Sequence, residues 1–291
     1  TTESGCADCH SAESSHAMVI WPGDSQRTFD DLWSTGRLAP AGTQGSIVDL
    51  LAEEAQHVAP EHRLRPPTSA SIATTHSMQY IAHMLEWSGP PTTTGGVTER
   101  RFGVAREIGL VHGVLWTPAE SNAAVPLVLL GHGGAGRKRD ESRLDYAHTY
   151  VREHGFAAAS IDGPYHGERA SRTGPHRYDE SIADQMVGDW QATSDLLSGL
   201  DEIDGDRIAY GGISMGTMFG LPFLVADWKA RAAVLGLCGL MGNGTVGMSL
   251  FAHLARDAPQ LRCPTLFLMQ WDDELFARDG VLALFDLIGA K

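Results

Sequence analysis

Lysine is scarce in this chain of 291 residues: it stands at Lys138, Lys229 and Lys291 alone, and every other basic side chain is Arg. A GC-rich coding sequence produces that bias, so it calls for no Arg-specific function. Basic charge is short as a whole. There are 22 Lys and Arg against 36 Asp and Glu, a net charge of −14. That balance argues against a nucleic-acid partner, because phosphate backbones reward Lys/Arg surfaces. Cysteine occurs four times, too sparsely for a disulfide framework in a chain of this length. Cys238 and Cys263 sit in apolar runs and read as buried thiols. No apolar run approaches the ~20 residues of a membrane-spanning helix. The first residues, Thr-Thr-Glu-Ser-Gly-Cys, have neither the basic start nor the apolar stretch of a secretory signal. These two absences predict a cytoplasmic protein with no membrane partner. An initiator Met is also missing, which leaves processing of a longer chain open.

What is present is ordinary globular composition, 43% hydrophobic and 20% charged, neither collagen-like nor disordered. At ~150 residues per domain the length allows about two domains or one large α/β domain. The text changes character near residue 97. Residues 1–97 are rich in Ser, Thr, Ala, Pro and His, and their periodicity is weak. Helix candidates lie at Gly45–His57, where Ile47, Leu50, Leu51 and Ala55 share a face, and around Met78–Trp87. The run Gly89–Gly96, with Pro90 and Pro91, reads as a linker. The first part is therefore an N-terminal extension without a clear pattern. Within it, Cys6-Ala-Asp-Cys9-His10 matches the Cys-x-x-Cys-His attachment pattern of c-type haem, with Met78 or Met84 as distal candidates. It stands so near the first residue that no helix precedes it to pack on a haem. A Cys/His zinc site or chance are the other readings.

Residues 98–291 are regular. Phe102–Glu107 and Leu110–Trp116 read as paired strands. Pro126–Leu130, Phe156–Ile161, Arg207–Ile213, Ala232–Leu237 and Pro264–Met269 are short apolar runs of the kind buried on both faces of a sheet. Helical patterns at Glu141–His154, Ile182–Leu200, after Ser214 and at Gly280–Ile288 alternate with them. The expected fold class is α/β, a doubly wound and mostly parallel sheet.

Gly212-Ile213-Ser214-Met215-Gly216 is a Gly-x-Ser-x-Gly run that follows one predicted strand and opens one predicted helix, the context in which the motif presents a nucleophile. The turn forces Ser214 into strain, and glycines at either side let neighbouring elements approach. The helix N-terminus below it favours an anion. Gly131-His132-Gly133-Gly134-Ala135-Gly136 likewise follows a buried strand. In acyl-transfer enzymes of this architecture such a loop supplies one backbone N–H of an oxyanion hole, here Gly134, and the residue after the nucleophile, Met215, supplies the other. A phosphate loop is the rival reading, but the Gly-Lys-Ser/Thr it needs is missing. His132 reads as a residue that fixes the loop by hydrogen bonds.

Taken together, His-Gly-Gly, Gly-Ile-Ser-Met-Gly, Asp162-Gly163-Pro164-Tyr165-His166-Gly167-Glu168-Arg169 and Phe267-Leu268-Met269-Gln270-Trp271-Asp272-Asp273 resemble the α/β-hydrolase superfamily, and within it the dienelactone-hydrolase-like esterases. The resemblance covers residues 98–291. It implies a serine carboxylic-ester hydrolase that works through an acyl-enzyme without cofactor or metal, on small or medium esters. It implies a triad of Ser214, an Asp after the strand 264–269, and a His after one more strand. Gln270 stands where the family has Gly, so Asp273 is preferred to Asp272 as the acid. No His follows His253, so the last strand and the base are expected to be missing from this stretch. The sequence would then be a piece of a longer protein, or an impaired, binding-only relative, or another His substitutes. The substitutes are His166, His176, His253 and His16, the last opening a strand-like Ala17–Trp21 before Pro22-Gly23. His166 is otherwise a pocket or loop-fixing residue. Residues Leu240–Leu261, with Met241, Met248, Leu250 and Phe251, read as a short lid. The expected partner is a small ester, and self-association stays open.

Overall fold

The computed structural model describes residues 16–21, 85–170, 178–227, 229–242 and 248–289. The helix candidate at 45–57, the Cys6/Cys9/His10 motif and His176 lie outside them. Nine strands form one sheet: β1 His16–Trp21, β2 Leu85–Thr94, β3 Val97–Arg106, β4 Gly109–Pro118, β5 Val125–Gly131, β6 Ala157–Ile161, β7 Ile203–Gly212, β8 Ala230–Gly236 and β9 Thr265–Gln270. Their order is β1-β9-β8-β7-β5-β6-β4-β3-β2. The six strands from β1 to β6 in that order are parallel, and β4, β3 and β2 continue antiparallel. The helices are α1 Glu141–His154, α2 Glu180–Ser198, α3 Met215–Ala226, α4 Met248–Asp257 and α5 Arg278–Leu287.

The alternation read from residue 98 onward is the architecture observed. The apolar runs become strands because both faces are covered. On one face Leu127, Leu129, Tyr210, Leu235 and Phe267 pack with side chains of α2, α3, α4 and α5. On the other, Val128, Leu130, Ala158 and Ala209 pack with Tyr146, Ala147, Tyr150 and Val151 of α1. Helix α1 starts at Asp140, whose carboxylate accepts the Arg143 N–H, and ends on Gly155 in the left-handed conformation. Those are the standard start and stop devices of a helix. Among the described residues no helix is long and apolar enough to cross a membrane.

Four readings change. The stretch Gly89–Gly96 is not a linker: residues up to Thr94 belong to β2, paired antiparallel with β3 around an irregularity between Ser88 and Thr92. Pro90 and Pro91 fit there because β2 is the outermost strand and spends few N–H groups on a neighbour. Leu85–Trp87, expected as the end of a helix, are strand as well. The strand-like segment near the N-terminus is a strand, and it lies parallel to β9 at the far edge, His16 opposite Thr265 and Trp21 opposite Gln270. The sheet thus draws on both sides of residue 97. The lid reading also fails in part. Leu250 and Leu254 of α4 are buried in the core, so that helix is packed against the body rather than laid over an opening.

Candidate active site

Strands β5, β6, β7, β8 and β9 all run toward one edge, and the loops that leave them carry the residues singled out from the sequence. Register brings two of these loops side by side. Gly131 at the end of β5 is opposite Gly212 at the end of β7, so the glycine-rich loop begins next to Ile213 and Ser214. Ser214 is half-buried at the start of α3 with φ 55° and ψ −119°. A side chain at positive φ outside the usual left-handed well costs on the order of 1–3 kcal/mol and persists only where its surroundings impose it. The imposing contacts are visible. The Ser214 N–H donates to the Gly236 carbonyl (2.9 Å), and the Ser214 carbonyl accepts from Thr217 and Met218 (2.9 and 3.0 Å). The Thr217 hydroxyl accepts the Gly236 N–H (2.8 Å) and lies 2.9 Å from the Gly212 carbonyl. A Cβ on Gly216 would come within 3.0 Å of the Gly131 carbonyl, so glycine is what lets α3 sit against the end of β5. Met215, buried, is the first residue of that helix, and first-turn amides have no acceptor within their own helix.

The glycine-rich loop is set by His132. Its Nδ1 donates to the Gly133 carbonyl (2.8 Å) and its Nε2 accepts the Gly163 N–H (2.9 Å). The Gly136 N–H also donates to the Gly133 carbonyl (2.9 Å). Since a trans peptide is planar, pinning that carbonyl fixes the N–H of Gly134 on the opposite side of the same unit. His132 is buried, and burial above all pulls its pKa down from 6.5 to about 4. The ring therefore stays neutral, the only state with one donor and one acceptor nitrogen. His166 bridges the same loop from β6: Nε2 is 2.8 Å from the Gly134 carbonyl and Nδ1 is 2.7 Å from the Pro164 carbonyl. The two imidazoles lie 5.0 Å apart.

Asp273 and Asp272 leave β9 together but are held differently. Asp273 is half-buried, and its Oδ1 accepts the N–H groups of Leu275 (2.7 Å) and Phe276 (3.0 Å). Asp272 is exposed and pairs with Arg278 (3.0 Å). The Cys238 thiol, buried at the exit of β8, is pushed up by burial, with the Asp273 charge adding to the effect. The Cys263 thiol, half-buried, is raised to about 11, again by burial.

Of the histidines considered as base, His253 is buried on α4 with Nε2 2.7 Å from the Arg256 guanidinium and 3.5 Å from Asp257. His16 stands at the first position of β1, about 17 Å of strand before Trp21 and so at the opposite edge of the sheet. His166 is spanned by two carbonyls. The structure thus brings Ser214, Met215, Gly134, His132 and His166 together and sets Asp273 on the exit loop of β9 at the same edge of the sheet, while it sets His253 and His16 apart.

No protein-family model and no curated protein sequence matches the chain. Solved structures do. A cold-adapted esterase from an Arctic intertidal metagenomic library is 36% identical over 70% of this chain and 85% of its own, with a TM-score of 0.59. The chain belongs to the α/β-hydrolase esterases. An acetyl xylan esterase from Paenibacillus sp. R4 (15% identity, 77% of this chain and 87% of that one, TM-score 0.57) shares the fold. So does a chain given as a dienelactone hydrolase from Klebsiella pneumoniae subsp. pneumoniae MGH 78578 (15%, 67% and 81%, TM-score 0.52).

As an α/β-hydrolase esterase the chain carries site features that its motifs did not reveal. The buried Lys138 and Asp162, with the half-exposed Glu168, tie the two glycine-containing loops at their bases. Gly167, at φ 52°, is needed there, because a Cβ would fall 2.2 Å from the Asp162 carboxylate. Asp162 and Glu168 stand in the run Asp162–Arg169 that carries the family resemblance, but nothing in that run points to Lys138 as their partner. The exit loops of β8 and β9 are joined by a bridge between Gly242 and Phe276. Phe276 points inward, 2% exposed, and Met241 and Leu275, one residue away on each strand, are about half exposed. Trp271 stands out beside them under the Arg278 guanidinium, 3.8 Å from the ring centre. Beneath the loops, a cavity with room for about one water is lined by His132, Gly163, Met186, Trp190, Met215 and Phe219. Among the described residues no group of three or more His, Cys, Asp or Glu converges as a metal site.

Proposed function

We propose that the protein is a serine esterase acting on small to medium, uncharged carboxylic esters through an acyl-enzyme. Ser214 attacks the ester carbonyl, and the amides of Gly134 and Met215 receive the oxygen of the tetrahedral intermediate. Asp273 orients and charge-stabilises the imidazole of a base His that the described residues do not bring beside Ser214; that imidazole takes the Ser214 proton and hands it to the departing alcohol, and water then releases the acyl group. Neither step calls for a cofactor. The observation that carries the reading is the strained Ser214 at the α3 N-terminus, in register with a loop whose Gly134 N–H is fixed by a His132 that burial keeps neutral at pH 7. Asp273 is favoured over Asp272 because two backbone amides hold it while Arg278 occupies its neighbour. The exposed apolar Met241, Leu275 and Trp271 on the exit loops of β8 and β9 favour an apolar acyl chain lying outward along the mouth.

Hydrolysis of p-nitrophenyl acetate by the full-length protein, with Ser214→Ala as control, tests this reading. Loss of turnover by three orders of magnitude or more in the variant is expected, together with labelling of Ser214 by a fluorophosphonate seen as an intact-mass shift. Turnover unchanged by Ser214→Ala would refute it, and so would a folded protein that binds short esters without hydrolysing them.

A further inference from the structure

Lys138 is buried, 6% exposed, in a chain that writes almost every cation as Arg. Its Nζ donates to Oδ2 of Asp162 (2.6 Å) and to Oε1 of Glu168 (2.6 Å), and its backbone N–H donates to Oδ1 of Asp162 (2.9 Å). The fully buried Asp162 also accepts the Glu168 N–H (2.9 Å). Arg169 donates to the Asp162 carbonyl (2.9 Å) and to Asp189 of α2 (2.8 Å). One carboxylate thus closes the base of both loops, residues 132–139 after β5 and 162–169 after β6. At their tips the same loops meet again through His132 to Gly163 and His166 to Gly134. A compact ammonium with three rotatable donors can reach two carboxylates in this space; the planar five-donor fork of Arg cannot take its place without moving them. The Lys138 hydrogen bond is the largest of the influences that hold Glu168 below the usual carboxylate range.

We infer that Lys138 is a positioning residue for ester hydrolysis, clamping the two loops so that the Gly134 N–H keeps the direction in which the intermediate's oxygen forms. This rests on the proposed roles of Ser214 and Gly134. If the clamp opens, residues 163–166 shift against 132–136, and the peptide unit between Gly133 and Gly134 is no longer pinned at both ends. An oxyanion donor that is misaimed loses its value in the transition state and little in the ground state.

The test compares Lys138→Met, Lys138→Arg and Glu168→Gln in the full-length protein. It uses kcat and KM on p-nitrophenyl acetate and the inhibition constant of a trifluoromethyl ketone, whose adduct carries the oxyanion. Lys138→Met is expected to lower kcat about 10–100-fold with KM within twofold, and to weaken the ketone by the same factor. Lys138→Arg should fall in the same range. Glu168 is half exposed, so Glu168→Gln folds and lowers kcat and ketone affinity in parallel by a smaller factor. Should Lys138→Met fail to fold, Glu168→Gln decides alone, and unchanged kcat and ketone affinity there overturn the inference. A folded Lys138→Met whose kcat falls less than twofold, or whose loss lies in KM alone, overturns it too. Turnover that survives Ser214→Ala would sink the underlying reading instead, whatever the Lys138 variants do.

Discussion

Two neighbouring aspartates show how a single residue is selected by what already holds it. Asp272 spends its charge on Arg278 in solvent, an exposed pair of little energetic weight. Asp273 is fixed by the amides of Leu275 and Phe276 through Oδ1, which orients the carboxylate without neutralising it. Asp273→Asn is expected to cut kcat by about 10²–10⁴, as loss of a triad acid does elsewhere, and Asp272→Asn to leave it within threefold. Steady-state kinetics of the two variants checks this, and a reversed order would reassign the acid. His132 yields a prediction of a different kind. Its pKa is about 4 in the fold against 6.5 for the free side chain. Between those values the unfolded chain binds a proton that the folded chain refuses, so this residue's contribution to stability rises with pH over that window. The contribution is whole above pH 6.5 and is lost as pH falls toward 4, on the order of 3 kcal/mol in all. His132→Asn should flatten that part of the stability curve. Urea midpoints of both proteins between pH 4 and 7 measure it.

At the scale of elements, legibility followed burial. Strands β5 to β9 are runs of Val, Leu, Ile and Ala because helices cover both their faces, and such runs are readable without any partner in view. The edges were harder. β2 contains Ser88-Gly89-Pro90-Pro91, which reads as a breaker because local propensity carries no information about whether a strand is outermost. β1 is six residues long and separated from β9 by more than two hundred, so pairing over that span leaves no local trace. Its backbone register is nonetheless regular, with Val19 opposite Leu268 and Ile20 opposite Met269. On an edge strand of a parallel pair, alternate residues turn their N–H toward the neighbour. Of the two single variants Val19→Pro and Ile20→Pro, one should therefore lower the melting temperature by several degrees more than the other, since only one removes a ladder hydrogen bond. Equal and negligible shifts would show that β1 contributes nothing to the sheet.

Across the whole molecule, the parallel strands β5 to β9 deliver their exit loops to one edge, and that convergence brings to one place Gly-x-Ser-x-Gly, His-Gly-Gly and Asp-Asp, which the family resemblance had joined although about 140 residues of chain lie between the first loop and the last. What stayed illegible is chemistry that needs three dimensions. The neutral tautomer of His132, the Lys138 clamp and the outward face of the Gly242–Phe276 bridge each depend on residues far apart in the chain. The last of these is the proposed determinant of substrate range. Six large apolar side chains stand out among the described residues, and three of them, Met241, Trp271 and Leu275, lie on the exit loops of β8 and β9 beside Asp273. The remaining three, Trp87, Ile108 and Leu110, lie at the opposite end of the sheet order. If these side chains border the substrate, as proposed, they reward it by about threefold to fourfold in kcat/KM for each methylene they cover. The preference for p-nitrophenyl hexanoate over acetate should therefore fall about tenfold in the double variant Met241→Ser, Leu275→Ser, with acetate hydrolysis itself little changed. If the chain-length profile of that variant matches the parent's, the mouth does not read the acyl chain and these side chains have no part in substrate range.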